Sequence, residues 1–249
     1  MNGMVLERGS NVMLQGHSQY RGLFIGLARK LRDERGVSCH LYVATPQEAA
    51  FYRKVADDAF AGINVLRSFY QGVSEPVEDR EELFREAAAC EARLGESINS
   101  IALTDRHFGR GFALGGFRHP RSLMSETADY PRVVRGIVGQ IQYWEEEIDR
   151  LRPSAIINCE KTAAVIARAR GIPYRFIVGA RYRNRQHWAH DEFGAVPEVS
   201  DAYARNGPDT GEAELDAPYT THLEMRAHFR RTYGLAPTLK SLGLALARQ

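Results

Sequence analysis

Residues 11–66 alternate short apolar runs with amphipathic segments, and the joints between them are only a few residues long. Asn11–Gln15 (NVMLQ) reads as a strand, and Gly16-His17-Ser18 interrupts it. Tyr20, Phe24, Leu27 and Leu31 then recur at intervals of 4, 3 and 4, one face of a helix. Arg35-Gly36 closes that helix with a cation and a glycine stop. Residues 40–44 form the next strand, and Thr45-Pro46 opens the next helix in the order cap, then proline. Gly62 ends that helix and 63–66 is a third strand. Strand, helix, strand, helix, strand with short joints demands parallel strands linked by right-handed crossovers. The expected fold class is α/β, a Rossmann-like parallel sheet flanked by helices.

The middle of the chain departs from this rhythm in a long helical insertion, about 78–152. Over 78–103, Leu83, Ala87, Cys90, Leu94, Ile98 and Ile101 keep helical spacing. A glycine-rich stretch follows at 105–116. Val133, Ile137, Ile141, Trp144, Ile148 and Leu151 then make the most regular amphipathic pattern in the chain, and Pro153 stops it. The α/β alternation resumes with a strand at 154–158, a helix at 160–170, a Gly171-Ile172-Pro173 turn and a strand at 174–178. Beyond Gly194 the pattern loosens into a loop at 206–211 and helices expected at 218–233 and 238–247. The domain expectation is therefore an α/β domain over 1–195 and a helical extension over 196–249, packed on it or leading to a second domain.

Composition narrows the function classes. With 249 residues, 44% hydrophobic and 26% charged, the chain has the makings of a globular protein with a real core. A net charge of +2 is too small for a nucleic-acid binder, whose phosphate contacts need a strong basic excess. Cys39, Cys90 and Cys159 are odd in number, widely spaced and set among apolar neighbours. They form no zinc pattern and fit reduced thiols in the cytoplasm. No window approaches ~18 consecutive apolar residues, the length a membrane-spanning helix needs. The charged start carries no apolar leader core, so a cytoplasmic location is expected, with peripheral association at the inner membrane left open. No cofactor or metal is implied.

Ligands of open parallel sheets bind beyond the carboxyl ends of the strands, near the reversal of strand order. That rule gathers Gln15-Gly16-His17-Ser18, Ala44-Thr45-Pro46, Phe69-Tyr70-Gln71, Cys159-Glu160-Lys161-Thr162 and the stretch GARYRNRQHWAHDEFG at 179–194 on one edge. The first of these loops is neither a Walker motif nor G-x-G-x-x-G, which argues against a nucleoside triphosphatase or an NAD enzyme. It offers His17 as a general base, with Ser18 beside it, or else a histidine that merely caps a helix entry. Glu160 and Lys161 stand at a helix start that favours anions. Glu160 is then a base or an acceptor for a sugar hydroxyl, or simply complements the dipole. Arg106 and Arg110 sit in the glycine-rich stretch, as an oxyanion fork or as parts of a connector. Arg181, Arg183 and Arg185 alternate as in an extended segment, and Trp188 can stack on a sugar face. The alternative is a solvated surface run. His187 and His190 lack a third metal ligand at supportive spacing apart from the neighbouring Asp191 or Glu192.

Several of these segments carry a resemblance. Gly16-His17, the helix ending at Arg35-Gly36 and the strand ending at Thr45 resemble the opening of GT-B-fold glycosyltransferases. Arg152-Pro153-Ser154 with its strand, followed by the helix and Gly171-Ile172-Pro173, is similar to that family's R-P-D strand and G-I-P turn. The stretch 181–193 looks like the N-terminal half of surface or capsular polysaccharide biosynthesis proteins. The resemblance spans about 10–195 and implies one half of a GT-B architecture, the acceptor side. It implies a bacterial protein that transfers a sugar from a nucleotide sugar to a glycan or lipid-linked acceptor, with His17 assisting deprotonation of the acceptor hydroxyl. The chain ends about where the crossover to the donor-binding domain would begin, and no Glu- and Gly-rich donor helix follows Gly194. The expectation is thus a truncated half, a subunit completed by a partner, or a degenerate relative. Two alternatives stand beside it: a non-catalytic sugar- or nucleotide-binding accessory subunit, and a relative of the GT-B-fold nucleotide-sugar epimerases.

Overall fold

A computed structural model of the chain describes residues 6–17, 20–67, 77–104, 129–179, 186–207 and 239. The chain divides into two compact units, Met1–Phe176 with Ala189–Ala195, and Ile177–Trp188 with Val196–Gln249. The elements in order are β1 (Asn11–Gln15), α1 (Arg21–Arg35), β2 (Ser38–Val43), α2 (Pro46–Ala56), a 3-10 turn at Asp57–Ala59, β3 (Gly62–Val65), α3 (Arg80–Leu94) and α4 (Ile98–Thr104). Then follow α5 (Tyr130–Leu151), β4 (Ala155–Ile157), α6 (Lys161–Ala169), β5 (Tyr174–Gly179), β6 (Gln186–Ala189) and α7 (Pro197–Asn206).

The helix ends form where the local chemistry places them. Gly36 takes the left-handed conformation at φ 65°. Its N–H donates to the Arg32 carbonyl at 2.9 Å, and the Val37 N–H to that of Leu31 at 3.2 Å, so two orphan carbonyls of α1 are satisfied. Thr45 caps α2 by accepting from the Glu48 N–H at 3.2 Å, with Pro46 behind it. Asp79 and Asp129 cap α3 and α5 in the same way.

The sheet has the order β3-β2-β1-β4-β5-β6, and the pairs β3–β2, β2–β1, β1–β4 and β4–β5 are parallel. The Rossmann-like α/β architecture expected from the alternation is what forms. β1 lies between β2 and β4, with Met13 opposite His40 and Ile156, and Leu14 opposite Leu41 and Ile157. Because side chains alternate faces, Met13, Tyr42 and Ile156 point into one core, shared with buried residues of α3 to α6. Leu14, Leu41 and Val43 point to the other face, where Phe24, Ala28, Ala49 and Tyr52 of α1 and α2 are buried. The helical insertion is the crossover itself. It leaves β3 at one edge, passes through α3, α4 and α5, and returns to β4 beside β1. Arg93 of α3 grips Glu145 of α5 with two bonds of 2.7 and 2.8 Å, and Arg170, just past α6, pairs with Asp149 of α5.

Two elements differ from the sequence reading. The helix expected over 78–103 breaks at Gly95, which caps α3 in the left-handed region at φ 66°; Ser97 then starts α4. The apolar stripe hides the break, since Leu83, Ala87, Cys90, Leu94, Ile98 and Ile101 all remain buried across it. The loosened pattern after Gly194 contains α7, which buries none of its residues; its apolar Val199 and Tyr203 are both exposed. The loop expected at 206–211 is described only to Gly207, and the helices expected at 218–233 and 238–247 lie outside the described residues apart from Leu239. Among the described residues no helix is long and apolar enough to cross a membrane.

The interior joins β2 to α5 through one ionisable pair. Tyr42 donates to Glu147 at 2.6 Å, and Arg150 donates to the other carboxylate oxygen at 3.2 Å. Burial pushes the Glu147 carboxyl up, but the bonds from Arg150 and Tyr42 outweigh it and hold the group below its ordinary value. A depressed folded value means the stabilisation is present above the unfolded pKa and is lost as pH falls through the folded one. Glu147→Gln should therefore cost about 1 kcal/mol at pH 7 and flatten the loss of stability on acidification. Urea unfolding of both proteins from pH 7 down to pH 3 checks this; parallel curves would contradict it.

Candidate functional site

The chain reverses direction across the sheet at β1, so the helices that follow β1 and β4 leave on opposite faces and open a crevice beyond the two strand ends. Both exits are fixed. The Gly16 N–H donates to the Tyr42 carbonyl at 2.8 Å. Asn158, in the left-handed region at φ 57°, donates from its side chain to the Gln15 carbonyl at 3.2 Å, and its N–H bonds the Arg175 carbonyl at 2.7 Å. The Tyr174 hydroxyl donates to the Cys159 carbonyl at 2.6 Å.

On the α5–α6 side stands Glu160. It is the cap residue of α6, yet its carboxylate makes no cap bond. Instead Oε2 accepts from Gln140 Nε2 and from Trp144 Nε1, each at 3.0 Å. Gln140 and Trp144 are fully buried, and Thr162 donates to the Gln140 carbonyl oxygen. Trp144, Glu160, Gln140 and Thr162 are thus one polar chain through an apolar core, with the carboxylate aimed by α5. Lys161 beside it donates to the Glu192 carbonyl at 2.7 Å and lies 3.5 Å from the centre of the Phe176 ring. Glu192 is itself buried, and Arg168 binds both it and Glu96.

On the α1–α2 side His17 is exposed at the end of β1, its ring 5.3 Å from that of Tyr20. Partial desolvation draws its pKa below 6.5, and Glu48 pulls the other way. The imidazole is therefore neutral at pH 7 and able to accept a proton. Arg21, the first residue of α1, lies 4.6 Å over the Phe51 ring and 3.8 Å from Glu48. Glu48 in turn accepts from the N–H of Ala44, the residue before the Thr45 cap, at 3.2 Å. Tyr52 rises from α2 beneath Gly16, 1% exposed, and a Cβ on Gly16 would stand 3.1 Å from its hydroxyl.

Among the described residues, four buried side-chain atoms lack a hydrogen-bond partner: Gln15 Oε1, Arg21 Nε, the Tyr52 hydroxyl and Glu192 Oε2. Each such atom costs about 1–3 kcal/mol of uncompensated desolvation. Three of the four belong to residues at or beneath the exit of β1. The structure places His17 just after β1, and Glu160 with Lys161 just after β4, the strand paired with β1. Trp188, 37% exposed at the end of β6, belongs to the second unit. Ser18, Arg106, Arg110, Arg181, Arg183 and Arg185 lie outside the described residues. Sequence reasoning did not single out Arg21, Tyr52, Gln140 or Trp144. Tyr52 sits at core spacing between Ala49 and Ala56, and Trp144 falls in the apolar stripe of α5, so each reads as packing. Among the described residues no cluster of three or more His, Cys, Asp or Glu side chains is placed to hold a metal ion.

The fit of Gly16 against Tyr52 makes a testable pair. Gly16→Ala should destabilise by about 1–3 kcal/mol through overpacking against the hydroxyl and the Val43 side chain. In a Tyr52→Phe background the same change should cost less, a coupling that a urea double-mutant cycle measures. Additive losses would contradict the geometry.

Comparison with models of protein families, with curated proteins and with solved structures finds no match for this chain.

Proposed function

We propose that this chain is the acceptor-side half of a glycosyltransferase-like protein of bacterial surface or capsular polysaccharide assembly. His17 is its general base. One observation carries the reading: a neutral, solvent-facing imidazole stands at the end of β1, where strand order reverses, with the Glu48 carboxylate close enough to favour its protonated form. In the reaction the acceptor hydroxyl gives its proton to His17 while its oxygen bonds to the anomeric carbon of the donor sugar. The bond from that carbon to the nucleotide phosphate breaks and the nucleotide leaves. Glu48 stabilises the imidazolium, and Glu160, aimed by Trp144 and Gln140, orients an acceptor hydroxyl. The nucleotide sugar comes from a second domain or a partner subunit.

His17→Ala should lower transfer by about 10²–10⁴-fold, the usual contribution of a general base, without lowering the melting temperature. Radiolabelled UDP-, GDP- and CMP-sugars with a glycan acceptor preparation supply the assay. The acid limb of the rate profile should have its midpoint below pH 6.5, the side to which His17 is shifted. Undiminished transfer by the variant contradicts the reading. Stabilisation of the chain by a nucleotide sugar, with no transfer to any acceptor, would assign it instead as a binding subunit.

A further inference from the structure

The unanswered oxygen of Glu192 belongs to a short segment, Ala189–Ala195, that is part of the first unit although the chain on either side of it is part of the second. The segment holds its own shape. Asp191 Oδ1 accepts from the N–H groups of Phe193 and Ala195 at 3.0 and 2.9 Å, and the His190 N–H donates to the Ala195 carbonyl at 2.8 Å. Gly194 turns the chain at φ 88°. Phe193 is exposed, so its ring supplies no buried anchor. Glu192 ties the segment to α6 twice: its carboxylate takes Arg168, and its carbonyl takes Lys161 Nζ at 2.7 Å. The hold on the carboxylate is thin. The side chain is 1% exposed, yet Arg168 is shared with Glu96 at 2.9 Å and the second oxygen has no donor. A buried carboxylate needs hydrogen bonds to offset its lost hydration, and this one is answered on a single oxygen.

We propose that Ala189–Ala195 is a strap that closes on Lys161 and is latched by the Arg168–Glu192 pair. Closed, it engages the ammonium through the Glu192 carbonyl, with the Phe176 ring centre 3.5 Å from Nζ. Open, it releases that ammonium to solvent or ligand at the start of α6, beside Glu160. Whatever draws Arg168 away leaves the buried carboxylate unanswered and drives it back to water, which lifts the strap. Glu96 already competes for that arginine, so the latch is set close to its balance point. The inference stands apart from the sugar-transfer reading, because it concerns the exposure of Lys161 and not what the crevice binds.

Trace acetylation of the full chain by acetic anhydride, read lysine by lysine with mass spectrometry, tests this, with Lys30 and Lys54 as exposed internal references. In wild type Lys161 should react about tenfold more slowly than either, as for a strap open about a tenth of the time. Arg168→Gln strands the Glu192 charge and should raise the Lys161 rate several-fold while the reference rates stay put. Adding Glu192→Gln removes the stranded charge, so the double variant should return toward the wild-type rate. Glu96→Gln gives Arg168 to Glu192 alone and should leave the Lys161 rate at or below that of wild type. Gly194→Ala leaves α6 untouched and strains the turn at φ 88°, so it should raise the same rate. Were Arg168 merely holding α6 together, Glu192→Gln would not reverse its loss. Five results overturn the strap: Lys161 reacting as fast as the references in wild type, no rise in Arg168→Gln, a rise that Glu192→Gln does not reverse, a rise in Glu96→Gln, or no rise in Gly194→Ala.

Discussion

The structure turns on a short strand that is hydrogen-bonded along both edges and buried on both faces. β1 has no exposed side along its centre, with Val12, Met13 and Leu14 all at 0% exposure. Burial on both faces is the usual environment of a parallel sheet covered by helices, and both neighbours of β1 are parallel to it. The chain honours this by moving outward through β2 and β3, then crossing back through α3, α4 and α5 to β4. The crevice at the β1 and β4 exits follows from that reversal. It is a place where backbone groups and helix starts converge without a strand to fill the gap.

The two walls of this crevice are built differently. On the α5–α6 wall the groups around Glu160 are answered: Trp144 and Gln140 hold Glu160, Thr162 holds Gln140, and Lys161 is taken up by a carbonyl and a ring, while one oxygen of the nearby Glu192 carboxylate goes without a partner. Such a satisfied network fixes one geometry, because losing any member would leave a buried group unpaired. On the α1–α2 wall two donors go unanswered and a neutral imidazole faces solvent.

Much of the fold was legible in the sequence because its signals are local. The Arg35-Gly36 stop, the Thr45-Pro46 start and the stripe from Val133 to Leu151 each report a physical requirement within one or two turns of chain. The break at Gly95 was masked because an apolar stripe can stay in phase across a left-handed cap. α7 was missed because its apolar positions, Val199 and Tyr203, span little more than one turn and stay exposed. At the site, His17, Glu160 and Lys161 were visible as polar residues at strand ends and helix starts. Tyr52 and Trp144 were not, because a side chain that packs in a core and also presents one polar atom to a site carries the spacing of the core alone. Their role depends on what lies across the sheet from them, which one sequence does not encode locally.

The central claim is that the exit of β1 is where this chain meets its ligand. An amide chemical-shift map of the isotopically labelled chain, recorded with a glycan acceptor preparation, tests it most directly. The largest changes are expected at Gln15, Gly16, His17, Tyr20, Arg21 and Tyr52, with smaller ones at Asn158 and Glu160. Changes centred on α3 or α7, with the β1 exit unmoved, would contradict it.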